Sequence, residues 1–136
     1  MRRFIIATHG HFAEGIMDAV RMISGDVEDV VCYCAYSDPD ENMEESVDRL
    51  MSQYSDDDEL IVVTDILGGS VSNFFIRRLN RPNLHILTGL NLSLLLELFA
   101  NRDSSLSEMI RAAIRYAKES LCYCNPIVEE MMAENS

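Results

Sequence analysis

A histidine and an aspartate stand at matching places in this chain. Phe4-Ile5-Ile6-Ala7-Thr8 is an apolar run that ends in His9 and Gly10. Leu60-Ile61-Val62-Val63-Thr64 is a second such run, ending in Asp65, with Gly68-Gly69-Ser70 just behind it. Laid side by side as parallel strands, the two runs would deliver an imidazole and a carboxylate to one sheet edge. A neutral imidazole nitrogen is a competent nucleophile toward phosphorus. A carboxylate on the other ring nitrogen fixes the tautomer and favours the positive charge that develops during attack. Backbone N–H groups around Gly10, Gly69 and Ser70 are candidates to cradle a phosphoryl group, because glycine permits close approach and helix N-termini favour anions. The hydroxyls of Thr8 and Ser70 are further candidate donors.

Each of these residues also has a plainer use. Gly68-Gly69 reads as a tight turn, Ser70 as a helix N-cap and Asp65 as a turn cap. His11, in the loop beside His9, is an alternative nucleophile or a partner-facing residue; the strand-end position favours His9. His85 falls inside a predicted strand and reads as a core residue. A metal site from His9, His11 and Asp65 has no glutamate or cysteine at helical spacing to complete it. The four cysteines form two Cys-Tyr-Cys triplets, Cys32/Cys34 and Cys122/Cys124. A one-residue gap suits zinc poorly, whereas two strand residues so spaced share a face, so burial of each pair is the favoured reading. No metal and no disulfide is expected.

The elements that must position the cluster follow from periodicity. Residues 4–8 read as a strand and 12–24 as a helix with Phe12, Ile16, Val20 and Ile23 inward and Gly25 as its stop. Residues 29–36 are a second strand. Asp38-Pro39-Asp40-Glu41 predicts a capped helix start, with Met43, Val47, Leu50, Met51 and Tyr54 as the buried stripe. Residues 60–64 are a third strand. A helix runs from Ser70 to about Asn80, with Val71, Phe74, Phe75 and Leu79 inward. A fourth strand spans 84–88, and Gly89-Leu90-Asn91 leads into an apolar helix to about Ala100. Ser105-Leu106-Ser107-Glu108 is a capping box for a helix burying Leu106, Met109, Ile110, Ala113, Ile114 and Ala117. Leu121–Cys124 is ambiguous, with a strand as one reading. Alternation of strand and helix predicts a single α/β domain: an open, mostly parallel sheet of about four strands with helices on both faces. Ligands of such sheets bind beyond the carboxyl ends of the strands, where His9, Asp65, Gly68-Gly69-Ser70 and Gly89-Leu90-Asn91 all fall.

The bulk properties narrow the partners. The chain has 136 residues, enough for one domain with a substantial core. Its net charge of −12 argues against nucleic acid and suits an electropositive protein partner. No apolar run approaches the roughly 20 residues of a membrane helix. The apolar run after Met1-Arg2-Arg3 is too short for a secretion signal, so cytoplasm is the expected compartment.

Three pieces in register carry a resemblance. They are Ile5-Ile6-Ala7-Thr8-His9-Gly10, Val63-Thr64-Asp65-Ile66-Leu67-Gly68-Gly69-Ser70 with Asn73, and Thr88-Gly89-Leu90-Asn91-Leu92 with Leu94–Glu97. In order and spacing the chain resembles, over residues 1–120, the enzyme IIA domain of the mannose (mannose–fructose–sorbose) family of the bacterial phosphoenolpyruvate-dependent sugar phosphotransferase system. The resemblance implies that His9 takes a phosphoryl group from the phosphohistidine of the carrier HPr and passes it to a histidine on enzyme IIB, with membrane components IIC and IID served indirectly. It implies that Asp65 orients His9, that Gly68, Gly69 and Ser70 help bind the phosphate, and that no cofactor takes part. It also implies a homodimer in which a C-terminal antiparallel strand, within 121–136, is exchanged. The chain departs from the family at Val71-Ser72, where Pro-Phe is frequent, and at Ser93, where Pro is frequent. Other readings are a regulatory phospho-sensor, the phosphocarrier of dihydroxyacetone kinase, or an acidic α/β interaction domain without catalysis. Nothing in the residues names the sugar.

Overall fold

The computed structural model describes residues 1–135. Its elements run β1 (Arg2–His9), α1 (Phe12–Ser24), β2 (Val30–Ala35), α2 (Met43–Met51), β3 (Glu59–Thr64), α3 (Ser70–Ile76), β4 (Leu84–Thr88), α4 (Leu92–Ala100), α5 (Leu106–Ser120) and α6 (Cys124–Glu134). The four strands form one parallel sheet in the order β2-β1-β3-β4.

Strand periodicity decides what each face buries. Phe4, Ile6, Ile61, Val63 and Leu87 point to one side, where α1, α4 and α5 cover them. Ile5, Ala7, Leu60, Val62 and Leu84 point to the other, under α2 and α3. Both central strands are therefore continuous apolar runs, as a sheet covered on both faces requires. A buried Leu or Phe on either face contributes about 1.5–3 kcal/mol.

Several local expectations need correction. Helix α1 buries Ala13, Ile16, Met17 and Val20, while Phe12 and Ile23 are exposed. The inward stripe is the i, i+3, i+4, i+7 set that starts one residue later. Helix α2 starts at Met43, not behind Asp38: Asn42 accepts the Glu45 N–H at 3.1 Å, and Asp38 instead closes a turn through the Asp40 N–H at 3.0 Å. Glu41 is drawn away from a cap by the Tyr33 hydroxyl, which donates to its carboxylate. Helix α3 ends at Ile76, because Arg78 and Leu79 donate to carbonyls three residues back and tighten the chain out of the α-helix, leaving Leu79 exposed. Ile114 on α5 is likewise exposed.

The C-terminal segment differs most. Leu121–Cys124 forms no strand; α6 begins at Cys124, and its Pro126 falls in the first turn, where the missing N–H has no helical partner. Cys32 and Cys34 pack beside the core on β2 as expected, but Cys122 and Cys124 are exposed, and all four are free thiols. None of the residues of α6 is buried. No helix among the described residues is long and apolar enough to cross a membrane.

Below the loop that follows β3 lies a buried hydroxyl pair. Ser72 donates to the Ile66 carbonyl at 2.7 Å and accepts from Thr64, and both residues are fully buried. This gives Ser72, one of the family departures, a structural use. Replacing it with alanine leaves the Thr64 hydroxyl without its partner and the Ile66 carbonyl with only the long bond from the Gly69 N–H, at 3.4 Å. The expected cost is about 1–3 kcal/mol, read as a fall of several degrees in Tm; an unchanged Tm would show that the pair does not hold the loop.

Candidate active site

The sheet order changes direction at β1 and β3: the chain steps from β1 outward to β2, then returns to the other side of β1 for β3. Helix α1 after β1 covers one face and α3 after β3 covers the other. The loops beyond the carboxyl ends of β1 and β3 thus stand at the topological switch point, the usual ligand position in open parallel sheets.

His9 is the last residue of β1, and Asp65 directly follows β3. Asp65 Oδ2 accepts the His9 backbone N–H at 2.8 Å and lies 2.9 Å from His9 Nδ1, while Oδ1 accepts the Ile66 N–H at 3.0 Å. A carboxylate so placed holds the ring proton on Nδ1 and leaves the Nε2 lone pair for chemistry. The His9 side chain is 45% exposed and that of Asp65 only 12%. Burial disfavours the Asp65 anion, but the His9 N–H, the His9 ring bond and the ring's charge outweigh it, so its pKa lies below the ordinary value.

The glycine-rich loop closes against the ring. A Cβ on Gly69 would sit 2.6 Å from Ile66 Cγ2 and 3.4 Å from His9 Cε1, so this close approach needs a residue without a side chain. Gly68 makes the preceding turn at φ +79°, in the left-handed region. Gly69, not Ser70, occupies the N-cap position of α3. The Ser70 hydroxyl is instead hydrogen-bonded to the Tyr36 hydroxyl at 2.6 Å.

Tyr36 is the site residue that the sequence reading missed. Its ring stacks on His9, with centroids 5.6 Å apart and planes 29° from parallel. It holds φ +63°, a costly conformation for a non-glycine residue, directly after β2. The signal was present: the strand-end rule that selects His9 and Asp65 also selects the residue after Ala35.

The other candidates are placed as follows. Thr8 is fully buried; its hydroxyl accepts the Ala13 N–H at 2.8 Å and so anchors the start of α1. The Gly10 N–H is bonded to the Ala35 carbonyl at 2.7 Å. Both shape the loop around His9. His11 is exposed at the N-cap of α1, with Nδ1 3.6 Å from a Glu14 carboxylate oxygen. His85 is a partly buried residue of β4, paired in register with Ile61. Asn91 caps α4 through the Leu94 N–H at 2.8 Å.

Comparison with known proteins bears on the family and the fold. The sequence profile of the family described as "PTS system fructose IIA component" (EIIA-man) matches residues 3–115. Among solved structures, one described as a phosphoenolpyruvate-dependent sugar phosphotransferase system (PTS) permease from Klebsiella pneumoniae is 41% identical, with a TM-score of 0.90 over 93% of each chain. The PTS IIA protein associated with the fucose utilization operon of Streptococcus pneumoniae is 30% identical, with a TM-score of 0.75 over 93% of this chain and 96% of that one. The mannose/sorbose-specific IIA subunit from Enterococcus faecalis shares the fold at 18% identity, with a TM-score of 0.78 over 90% of this chain and 93% of that one. A phosphocarrier of the sugar phosphotransferase system, the chain belongs to the mannose-type enzyme IIA family.

Proposed function

We propose that His9 Nε2 is the phosphoryl acceptor, and that the chain relays the group from phosphohistidine HPr to a histidine of enzyme IIB. The observation that carries this reading is the Nδ1–Asp65 pair, which leaves the other nitrogen of a nearly half-exposed ring free. As the bond from Nε2 to phosphorus forms, the bond from phosphorus to the donor imidazole breaks. Asp65 stabilises the positive charge on the His9 ring, whose Nδ1 proton stays in place. Exchange between two histidines is close to thermoneutral, so the protein's task is positioning rather than activation of water.

Gly68, Gly69 and Ser70 form the wall against which the phosphoryl oxygens lie; Thr8 and Gly10 serve the same pocket by fixing the turn after His9. The Tyr36 and Ser70 hydroxyls, now bonded to each other, supply donors by breaking that bond. Tyr36→Phe keeps the stacked ring but removes one donor. Its phosphoryl-acceptance rate is expected to fall roughly tenfold, the size of one neutral hydrogen bond of about 1–1.5 kcal/mol, while Tyr36→Ala should fall further. Equal rates for wild type and both variants in rapid-quench transfer would exclude Tyr36 from the site.

The acidic surface suits docking to basic faces of HPr in the cytoplasm, with IIC and IID reached only through IIB. Residues 1–120 constitute the carrier unit. The free edge of β4 carries an apolar groove lined by Leu79, Ile86, Ile110 and Ile114. Residues 121–136 include exposed Leu121, Ile127, Val128, Met131 and Met132. A homodimer in which this segment of one copy covers that groove of the other would bury both surfaces.

The reading is tested by mass spectrometry of the intact protein after incubation with phosphoenolpyruvate, enzyme I and HPr. The expected product carries one acid-labile, base-stable phosphoryl group on His9. An unmodified mass would refute it.

A further inference from the structure

Away from the relay chemistry, the cluster of His11, Glu14 and Cys34 has no assigned use. One ligand atom from each, an imidazole nitrogen, a carboxylate oxygen and a thiol sulfur, all lie within 4.8 Å of one another. We propose that these three side chains bind a thiophilic divalent cation, of which Zn²⁺ is the best match.

The fold brings them together from two elements. His11 is the N-cap of α1 and Glu14 lies in its first turn, so the two share a face. Cys34 comes from β2, where it pairs in register with Thr8. The expectation that no glutamate stands at helical spacing to complete a metal site needs correction, since Glu14 lies three residues from His11; Cys34 reaches the pair only through the parallel pairing of β1 and β2. His11 Nδ1 and Glu14 Oε2 are already 3.6 Å apart. Two ligands ~2.1 Å from a tetrahedral zinc ion lie roughly 3.4 Å apart, so this edge of the polyhedron is nearly formed. Both side chains are well exposed, at 72% and 66%, and can swing toward the half-buried thiol.

The donor set selects the ion. One sulfur, one imidazole and one carboxylate suit zinc and its neighbours and disfavour Mg²⁺ and Ca²⁺, which take oxygen ligands. Three protein ligands leave a fourth position open to water or an exogenous ligand, the pattern of exchangeable rather than structural zinc. The alternative use, an ion pair between two exposed groups, contributes little to stability. Cys32, two residues along β2, faces the Ala13 carbonyl at 3.6 Å and stands outside the group.

The test is titration of the full-length reduced protein with Co²⁺, followed by absorption spectroscopy. One equivalent is expected to produce a thiolate-to-cobalt charge-transfer band that Zn²⁺ abolishes on displacement. Cys34→Ser should eliminate the band. His11→Ala and Glu14→Ala should weaken cobalt binding more than about tenfold, the loss seen for even an outer-shell partner. Glu14 is exposed, so its variant reports binding without risk to the fold. The Cys122→Ser/Cys124→Ser double variant should bind as wild type does. No charge-transfer band, a band that survives Cys34→Ser, affinity unchanged in His11→Ala and Glu14→Ala, or a band lost with Cys122 and Cys124 would each overturn the proposal. None of these readouts depends on phosphoryl transfer.

Discussion

His9→Ala is expected to fold normally and to accept no phosphoryl group from a phosphoenolpyruvate-driven system. The stability half of this prediction follows from geometry. The His9 ring is nearly half exposed, and its removal costs the stack on Tyr36 and one bond to Asp65. The main-chain N–H at position 9 remains and still donates to Asp65. The carboxylate therefore keeps two of its three hydrogen bonds, and the expected change in stability is about 1 kcal/mol. The activity half is absolute, because no other imidazole has the same support. His11 is more exposed than His9, and a glutamate at 3.6 Å, itself exposed, is a poor orienting group. His85 is held partly buried within β4. Radiolabel transfer from phosphorylated HPr, run beside circular dichroism, separates the two halves. Label on the folded His9→Ala protein, at His11 or elsewhere, would end the assignment.

How far the fold could be read in advance depended on the range of the forces involved. The four strands and the first five helices follow from apolar period and capping residues, which are local. Errors arose where two local signals competed. Asp38-Pro39-Asp40-Glu41 and Asn42 through Glu45 both look like helix starts, and the choice between them turned on Tyr33, which reaches Glu41 across from β2. Ser70 looked like a cap until Tyr36 claimed its hydroxyl and Gly69 took the cap position. Cys122 and Cys124 looked like a buried strand pair, but the Pro126 that follows suits a helix start equally well. At the site, His9 and Asp65 were legible because both end apolar runs, and the structure brings them together. The strand-end rule also marks Tyr36, but its contact with His9, like that of Cys34 with His11, crosses from β2 to β1, a neighbour relation that a single sequence does not give. The buried Thr64–Ser72 pair spans only the loop between β3 and α3, and it was hidden because Ser72 looked like an ordinary residue in the first turn of a helix.

Asp65→Asn is the sharper probe of mechanism, because it changes charge and proton position while keeping shape. In the wild type, an anionic oxygen faces His9 Nδ1 and holds the ring proton there, which leaves Nε2 nucleophilic. An amide that presents its NH₂ group to Nδ1 keeps its oxygen on the Ile66 N–H, and the His9 main-chain N–H loses its acceptor. The ring proton then moves to Nε2, and the lone pair needed for attack is lost. Reversal of a tautomer by the same substitution in a serine-protease triad costs on the order of 10⁴ in rate, and a loss of about 10³–10⁴ is expected here. Stability should respond with a defined pH sign. The folded pKa of Asp65 lies below its ordinary value of 3.8, so the anion's contribution is complete above about that pH and is lost as pH falls through the folded value. The stability gap between wild type and Asp65→Asn should accordingly be full at neutral pH and close in acid, as followed by denaturant unfolding across that range. Phosphoryl acceptance near neutrality should stay low in the variant at every pH tested, since the defect is in the tautomer and not in a group that titrates there. Wild-type transfer rates in Asp65→Asn would remove the carboxylate from the mechanism and leave His9 to be oriented by Tyr36 and Gly69 alone.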